Sequence, residues 1–508
     1  MSATTAAAVA SPHHSATETG AAVLADGGTA LDAAIATNAM LSVVYPHMCG
    51  LGGDLFLLYF EAATGSVHCL NASGPAPGLA TRAAFADLGL DHIPQRGPLP
   101  VTVPGTVAGW QAAHQRFGRL PWRRLLEPAA SAARDGTPVS PGLAKWIAAE
   151  AEGIGHSPGL RPLLGAAVLR QPELAATFDR IITRGADDFY RGETARRIDD
   201  SMRRHDGLLR FDDLDSYTPE WVAPTQATYA GLEVYVPPPN SQGVTSLLML
   251  KALQALGAEG DVPGTAEHIT NLVAAKRTAF ALRDRHVTDP AYVTISTEDL
   301  LDALPAPEAP ATTHPVGGDT VAFVSIDRDG NACSAIQSVY YGFGSMFVPE
   351  GTGIIMQNRG HYFSLSPDHV NTLEPGKRTM HTLMASMALR DGRPRFVVSS
   401  MGADGQPQFN VQVLQQLLAG GTPQEAVSRP RVLHGRFVIE DDPDVLHVEP
   451  LPDADVVGAL QRAGHDVRVT AGPDDRMGHA HAIAVAEDGS VLAGADPRSD
   501  GSAIVVAG

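Results

Sequence analysis

Apolar residues in this chain change rhythm along its length. Ala33 to Val44 form an Ala-rich run, and Thr29 and Asp32 stand before it at capping-box spacing. This predicts a buried helix that Pro46 ends, too short to cross a bilayer. The apolar stretch Leu55-Phe56-Leu57-Leu58-Tyr59-Phe60 predicts a core strand. Residues 1–16 read as a flexible lead. Residues 100–300 read as mostly helical. One helix opens at Val103–Trp110, another runs from Val244 to Leu256 behind the rigid loop Tyr235–Gly243, and an amphipathic one covers 268–284. The proline-rich segment 304–316 then breaks all periodicity.

Beyond that break the texture turns to strands. Segments 320–326 and 332–338 flank Asp327-Arg328-Asp329-Gly330-Asn331, a hairpin signal. Further strands are expected at 383–389, 395–400 and 480–486, with a helix at 408–419. Helix-rich followed by strand-rich, with strands also near the start, predicts a mixed α/β sandwich whose sheets draw on both halves.

Composition narrows the function. The formal net charge of -19 makes nucleic acid an improbable partner. Three cysteines, Cys49, Cys69 and Cys333, are too few for a disulfide framework. The N-terminus has no basic region followed by a long apolar run, and nothing approaches a membrane span. The expectation is a soluble, cytoplasmic protein. The glycine cluster Cys49-Gly50-Leu51-Gly52-Gly53-Asp54 lies between helix and strand. That is the reverse of a nucleotide-binding loop, so close backbone packing explains it better than phosphate binding. His479-Ala480-His481 has no evident third ligand, and His47, Cys49, His68 and Cys69 match no standard zinc spacing. No metal and no cofactor are expected.

The chemistry concentrates at Thr320. This hydroxyl opens a strand directly behind the proline-rich segment. Cleavage between Asp319 and Thr320 would place a nucleophilic hydroxyl and a basic free amine on one residue. The structural alternative is a β-branched residue at a loop-to-strand junction.

Several segments, in order, resemble the γ-glutamyltransferase family of N-terminal-nucleophile hydrolases. They are Gly27–Ala34, Pro46–Gly53, Val103–Gly109, Pro237–Gly243, Gly318–Asn331, Tyr341–Ser345, Gly351–Ile354, Pro375–Arg378 and Asp496–Gly501. The resemblance implies a four-layer αββα fold and self-cleavage of one domain into segments 1–319 and 320–508. It also implies that the fragments stay associated and that Thr320 is the nucleophile toward a small-molecule substrate. It places Ser338 where the family has a threonine hydroxyl supporting the nucleophile. Gly402 and Ala403 fall where two glycines donate N–H groups to the oxyanion. His381 and Thr382 replace a serine pair that contacts substrate.

Two departures bear on that substrate. Ser73 stands where typical members hold the glutamyl α-carboxylate with an arginine. Tyr362 stands where they meet the α-ammonium with an aspartate, and Tyr340 replaces an asparagine. A zwitterion leaving water needs both charges met, so an ordinary γ-glutamyl substrate is not expected. Arg359 or Arg378 suits a lone carboxylate, or either fills a structural role. The expected activity is therefore that of a self-processing threonine hydrolase or acyltransferase. The alternatives are an authentic γ-glutamyltransferase or glutathione hydrolase, a hydrolase of amide or carbon–carbon bonds in natural-product biosynthesis, and a non-catalytic relative.

Overall fold

The hairpin expected around residues 327–331 lies at the centre of the molecule. Its strands, Asp319–Ile326 and Ala332–Tyr340, occupy the middle of a seven-stranded antiparallel sheet. The computed structural model describes residues 4–293, 295–303, 319–436, 442–453 and 455–507. Across the first sheet the strands run Ser502–Ala507, Ala6–Ser11, Asp319–Ile326, Ala332–Tyr340, Asp54–Glu61, Ser66–Ala72 and Glu220–Val222. Strands from before residue 319 thus flank the hairpin on both sides.

A six-stranded antiparallel sheet faces the first, with Arg393–Ser400 and Ala385–Arg390 at its centre. Alternation along each strand divides the side chains between two cores. Ala322, Val324 and Ile326 point between the sheets with Phe56, Leu58, Met387, Val397 and Ile483. Val321, Phe323, Leu55, Leu57 and Tyr59 point outward under a helical layer that includes Ala30–Val44 and Thr106–Phe117. Gly243–Ala255, Ala266–His286 and Gln406–Leu418 cover the second sheet. The result is the expected αββα sandwich. Because both faces are covered, the 55–60 strand reads as an unbroken apolar run. Among the described residues no helix is long and apolar enough to cross a membrane.

The helix, strand and hairpin expectations hold, with ends moved by a few residues. The expectation for residues 1–16 does not. Ala6–Ser11 is a fully buried strand between Ser502–Ala507 and Asp319–Ile326, and a helix follows at His14–Ala25. Its small residues carry no amphipathic signature, and its pairing partners lie hundreds of residues away, so no local pattern announces it. The proline-rich segment 304–316 lies outside the described residues.

Local chemistry fixes the hairpin against the first helix. Thr29 and Asp32 form the expected capping box at 3.1 and 3.0 Å. The Asp327 carboxylate accepts from Ala30 N–H at 2.9 Å, Asn331 N–H at 3.0 Å and Asn331 Nδ2 at 2.9 Å. Ser325 Oγ returns a hydrogen bond to the Ala30 carbonyl at 2.7 Å. The glycine cluster does serve close packing. A Cβ on Gly53 would lie 2.3 Å from the Ser338 carbonyl oxygen, and one on Gly52 would lie 2.3 Å from that of Ile355.

Asp327 thus joins a helix start, where a negative charge is favourable, to the turn of the hairpin. Asp327→Ala leaves three donors without their acceptor and should lower the unfolding free energy by about 3 kcal/mol. Urea denaturation of the Thr320→Ala chain, with and without this change, measures it. A loss below about 1 kcal/mol would show that water replaces the carboxylate.

Candidate active site

The hairpin is irregular at one point. Gln337 pairs with Val321 and Tyr340 with Asp319, so Ser338 and Val339 together oppose the single residue Thr320. A bulge of this kind bends its strand and re-aims a side chain. Here it turns the Ser338 hydroxyl onto the Asp319 carbonyl oxygen, to which it donates at 2.5 Å. Tyr340 N–H donates to Ser338 Oγ at 2.7 Å, which leaves that hydroxyl's proton free for the carbonyl. Tyr340 holds the uncommon φ of 83° that this geometry requires. Thr320 is 1% exposed, so the peptide bond before it is closed off from bulk water.

The Asp319 side chain is also buried, and it accepts a hydrogen bond from Gly342 N–H. Burial pushes its pKa up to about 8. Glu150 and Asp475 add to the rise and Arg96 opposes it. Arg96 bridges the same corner, bonding Glu150 at 3.0 Å and the carbonyls of Gly342 and Gly344 at 2.7 and 2.6 Å.

The second sheet supplies the facing wall. Ser334 Oγ bonds the Val398 carbonyl and Ser399 Oγ bonds that of Ala335, so the two strands advance in step across the sandwich. The Arg393–Ser400 strand then runs out toward Gly402. Gly402 and Ala403 turn there with φ of 136° and 47°, before the helix Gln406–Leu418. Their N–H groups have no hydrogen-bond acceptor among the described residues. Ala403 accepts the left-handed conformation despite its Cβ.

Gln242, from the 235–243 loop, clamps this wall. Its Nε2 donates to the carbonyls of Thr382 at 2.7 Å and Ala403 at 2.9 Å, and its Oε1 accepts from Arg283 at 2.9 Å. His381 Nδ1 accepts from Leu383 N–H, so Nε2 carries the proton toward Asp54 Oδ2 at 3.0 Å. Burial, then the nearby Arg359 charge, keeps His381 neutral by holding its pKa well below the usual value. Asp54 is itself raised to about 7 by burial, although Arg359 and its hydrogen-bond donors favour the anion.

The remaining candidates divide clearly. Ser73 is locked by Asn71 Oδ1 at 2.7 Å and Asn240 Nδ2 at 3.3 Å. Arg378 is spent on the Ser73 carbonyl at 3.0 Å and on Glu220 at 2.9 Å. Tyr362 donates to Asp404 at 3.3 Å and packs edge-on against Tyr340. Arg359 lies 4.0 Å above the Tyr340 ring and donates from Nη1 to Thr382 Oγ1 at 3.1 Å. Thr320, Ser338, Tyr340, Arg359, Tyr362, Thr382 and His381 therefore belong to one connected cluster, which Gln242 links to Ala403. Sequence reasoning missed the connecting residues Gln242, Asp54, Asp404 and Arg96. Gln242 and Asp54 sit inside the quoted loops, but nothing in those motifs separates a clamp from a spacer. Among the described residues no three His, Cys, Asp or Glu side chains are grouped to hold a metal ion.

Comparison with known proteins places this geometry in context. The family model described as gamma-glutamyltranspeptidase matches residues 16–506. The chain is 40% identical to the glutathione hydrolase-like YwrD proenzyme of Bacillus subtilis, over 98% of each chain. It is 38% identical to the oxamate amidohydrolase proenzyme of Klebsiella pneumoniae, over 97% of each. Among solved structures, a cephalosporin acylase from Bacillus halodurans superposes with a TM-score of 0.90 at 34% identity, covering 99% of this chain and 96% of that one.

The raised pKa of Asp319 has a consequence for stability. Below about pH 4 folded and unfolded chains both hold this proton. Between there and about pH 8 the folded chain keeps it and the unfolded chain releases it, so stability falls as pH rises, then levels. In a Thr320→Ala background, Asp319→Asn should therefore raise the melting temperature by a margin that grows from pH 5 to 8. All other titrating groups are shared by the two variants and drop out of the difference. A margin independent of pH would show that Asp319 titrates like an ordinary carboxylate.

Proposed function

The chain belongs to the gamma-glutamyltranspeptidase family of hydrolases and acyltransferases, and from that premise we propose that it is a threonine-nucleophile enzyme that matures by cutting itself before Thr320. The observation that carries this reading is the Ser338 hydroxyl resting on the Asp319 carbonyl oxygen at the bulge.

In the intact chain Thr320 Oγ attacks the Asp319 carbonyl carbon. Negative charge develops on the oxygen that Ser338 already contacts, and a preorganised donor of this kind lowers the barrier without reorganising. Collapse breaks the C–N bond, the nitrogen leaves as the Thr320 α-amine with a proton, and Asp319 is left esterified to Oγ. Water hydrolyses the ester. Residues 1–319 then end in a carboxylate and residues 320–508 begin with a free amine. That amine, with an ordinary pKa of roughly 8, is basic enough to take the Oγ proton in later turnovers. An acyl-enzyme forms on Oγ and water or an amine resolves it. The unpartnered N–H groups of Gly402 and Ala403 suit them to the substrate oxyanion.

The names of the relatives span a glutathione hydrolase-like protein, an oxamate amidohydrolase and a cephalosporin acylase. Hydrolysis of an acyl–nitrogen bond fits all three. A standard γ-glutamyl group fits this site poorly. Ser73 carries no charge, Tyr362 stands where an acid would meet the ammonium, and the nearby Asp404 is paired with Arg283 at 3.0 Å.

Denaturing electrophoresis with N-terminal sequencing tests the reading. Two fragments are expected, the shorter beginning at Thr320. Thr320→Ala should remain one chain without turnover. Ser338→Ala should slow the appearance of fragments about 100-fold, the usual cost of one such donor. Fragments from Thr320→Ala would show that the nucleophile lies elsewhere.

A further inference from the structure

Asp319 holds two reactive groups in one buried place. Its main-chain carbonyl oxygen accepts from Ser338 Oγ at 2.5 Å, and its carboxyl accepts from Gly342 N–H. Side chains of this strand alternate. Ala322, Val324 and Ile326 point between the sheets, while Val321 and Phe323 point under the outer helices. Thr320 therefore lies on the inter-sheet side of its strand and the Asp319 carboxyl on the helical side.

The two sides differ in their access to solvent. Thr320 is almost wholly buried between the sheets. On the other side, Gly342 joins the Asp319 carboxyl to Arg96, through its N–H to the first and its carbonyl to the second. Arg96 in turn lines a cavity of about 1120 Å³ between segments 153–174 and 345–355, together with Gly97, Gly153, Ser345 and Met346. That cavity reaches the corner in which the carboxyl is held.

We propose that the Asp319 carboxylate resolves the ester formed on Thr320 Oγ, closing on its own main-chain carbonyl carbon to give a five-membered cyclic anhydride that water from the cavity side then opens. This rests on the reading of Thr320 as the nucleophile that cuts the chain. Attack by Oγ leaves Thr320 with a free amine. Burial lifts the Asp319 carboxyl to a pKa of about 8, with Glu150 and Asp475 adding to the rise and Arg96 opposing it. An ordinary α-amine titrates at roughly 8 as well, so the amine takes the carboxyl proton at little cost. One carboxylate oxygen then bonds the ester carbon, and the bond from that carbon to Oγ breaks. Oγ leaves with a proton from the Thr320 ammonium. Thr320 is now mature, with a hydroxyl and a neutral amine, and Asp319 ends the first fragment as an anhydride. Water adds to one anhydride carbonyl and the ring opens to two carboxyl groups. Attacking oxygen and carbonyl carbon belong to one residue, and well-placed intramolecular reactions reach effective concentrations of about 10⁵ M or more. Burial of Thr320 denies bulk water that advantage at the ester.

The test is cell-free synthesis of the full chain in H₂¹⁸O, then tryptic digestion in ordinary water and mass spectrometry. Cleavage before Thr320 leaves a peptide from His286 to Asp319 that contains no lysine or arginine, so trypsin adds no label at its end. Either route places one ¹⁸O on Asp319. Opening of the anhydride from the cavity side places most of it in the side-chain carboxyl, which is read from the aspartate immonium ion. Asp289, Asp299 and Asp302 in the same peptide control for exchange. Label confined to the α-carboxylate would show that water attacks the ester directly and would overturn the anhydride. Asp319→Ala should form the ester yet resolve it at least about 100-fold more slowly. Its single band on a gel should then fall into two on treatment with neutral hydroxylamine. Asp319→Glu, which closes a six-membered ring, should keep part of the rate and guards against a folding defect in the alanine variant. Fragments released from Asp319→Ala at the wild-type rate would equally overturn the proposal. A wild-type chain that never divides, or a Thr320→Ala chain that does, would overturn Thr320 as the nucleophile and the anhydride with it.

Discussion

The hydrogen bond from Ser338 to the Asp319 carbonyl depends on a single extra residue. In a regular ladder, residues of Ala332–Tyr340 would pair one to one with those of Asp319–Ile326, and the side chain at 338 would follow the strict alternation of its strand. The bulge suspends that alternation opposite Thr320. It also needs room behind the strand, because Gly53 packs so closely on the Ser338 carbonyl that any side chain there would collide with it. The glycine loop after the first long helix and the bulged hairpin are thus one constraint seen from two ends of the sequence. The same bulge carries Tyr340 into positive φ, and its ring becomes the platform for Arg359. Strain of this kind persists only where the surroundings over-determine it.

Interleaving makes a cut at this point tolerable. The hairpin is bordered by Ala6–Ser11 on one side and Asp54–Glu61 on the other, both from before residue 319. A break ahead of Thr320 removes one covalent link and leaves the ladders and the apolar layer between the sheets in place. Separating the pieces would expose strand edges on both and open a core shared by both. The cost is far larger than anything released by cutting one peptide bond within a strand.

Much of the architecture was legible because the chain marks its elements locally. The capping box at Thr29, the apolar run at 55–60 and the Asp-, Gly- and Asn-rich turn at 327–331 each announce an element through its own chemistry. Ala6–Ser11 does not, because a strand of alanines acquires meaning only from partners at 324–326 and 502–507. The site divides in the same way. Thr320 could be singled out in sequence because it opens a strand behind a proline-rich break, whereas Ser338 was named only through the family resemblance. Gln242, Asp54 and Asp404 could not, since their roles are contacts among segments more than a hundred residues apart. Arg359 and Arg378 were equivalent as letters. Only three-dimensional neighbours separate an arginine spent on a carbonyl and a glutamate from one with an idle edge.

That separation bears on how one scaffold serves different substrates. The candidate chemical groups sit on backbone features: the bulge, a strand start and a turn whose N–H groups have no acceptor among the described residues. The side chains around them include charged groups in a nearly dry space. There each charge must be matched, and a single exchange changes which ligand is welcome. Ser73 and Tyr362 present neutral hydroxyls, both engaged by neighbours, while Arg359 presents a cation with two donors to spare. Asp54 and Asp404 act on that cation through space, while their own hydrogen bonds go to other groups.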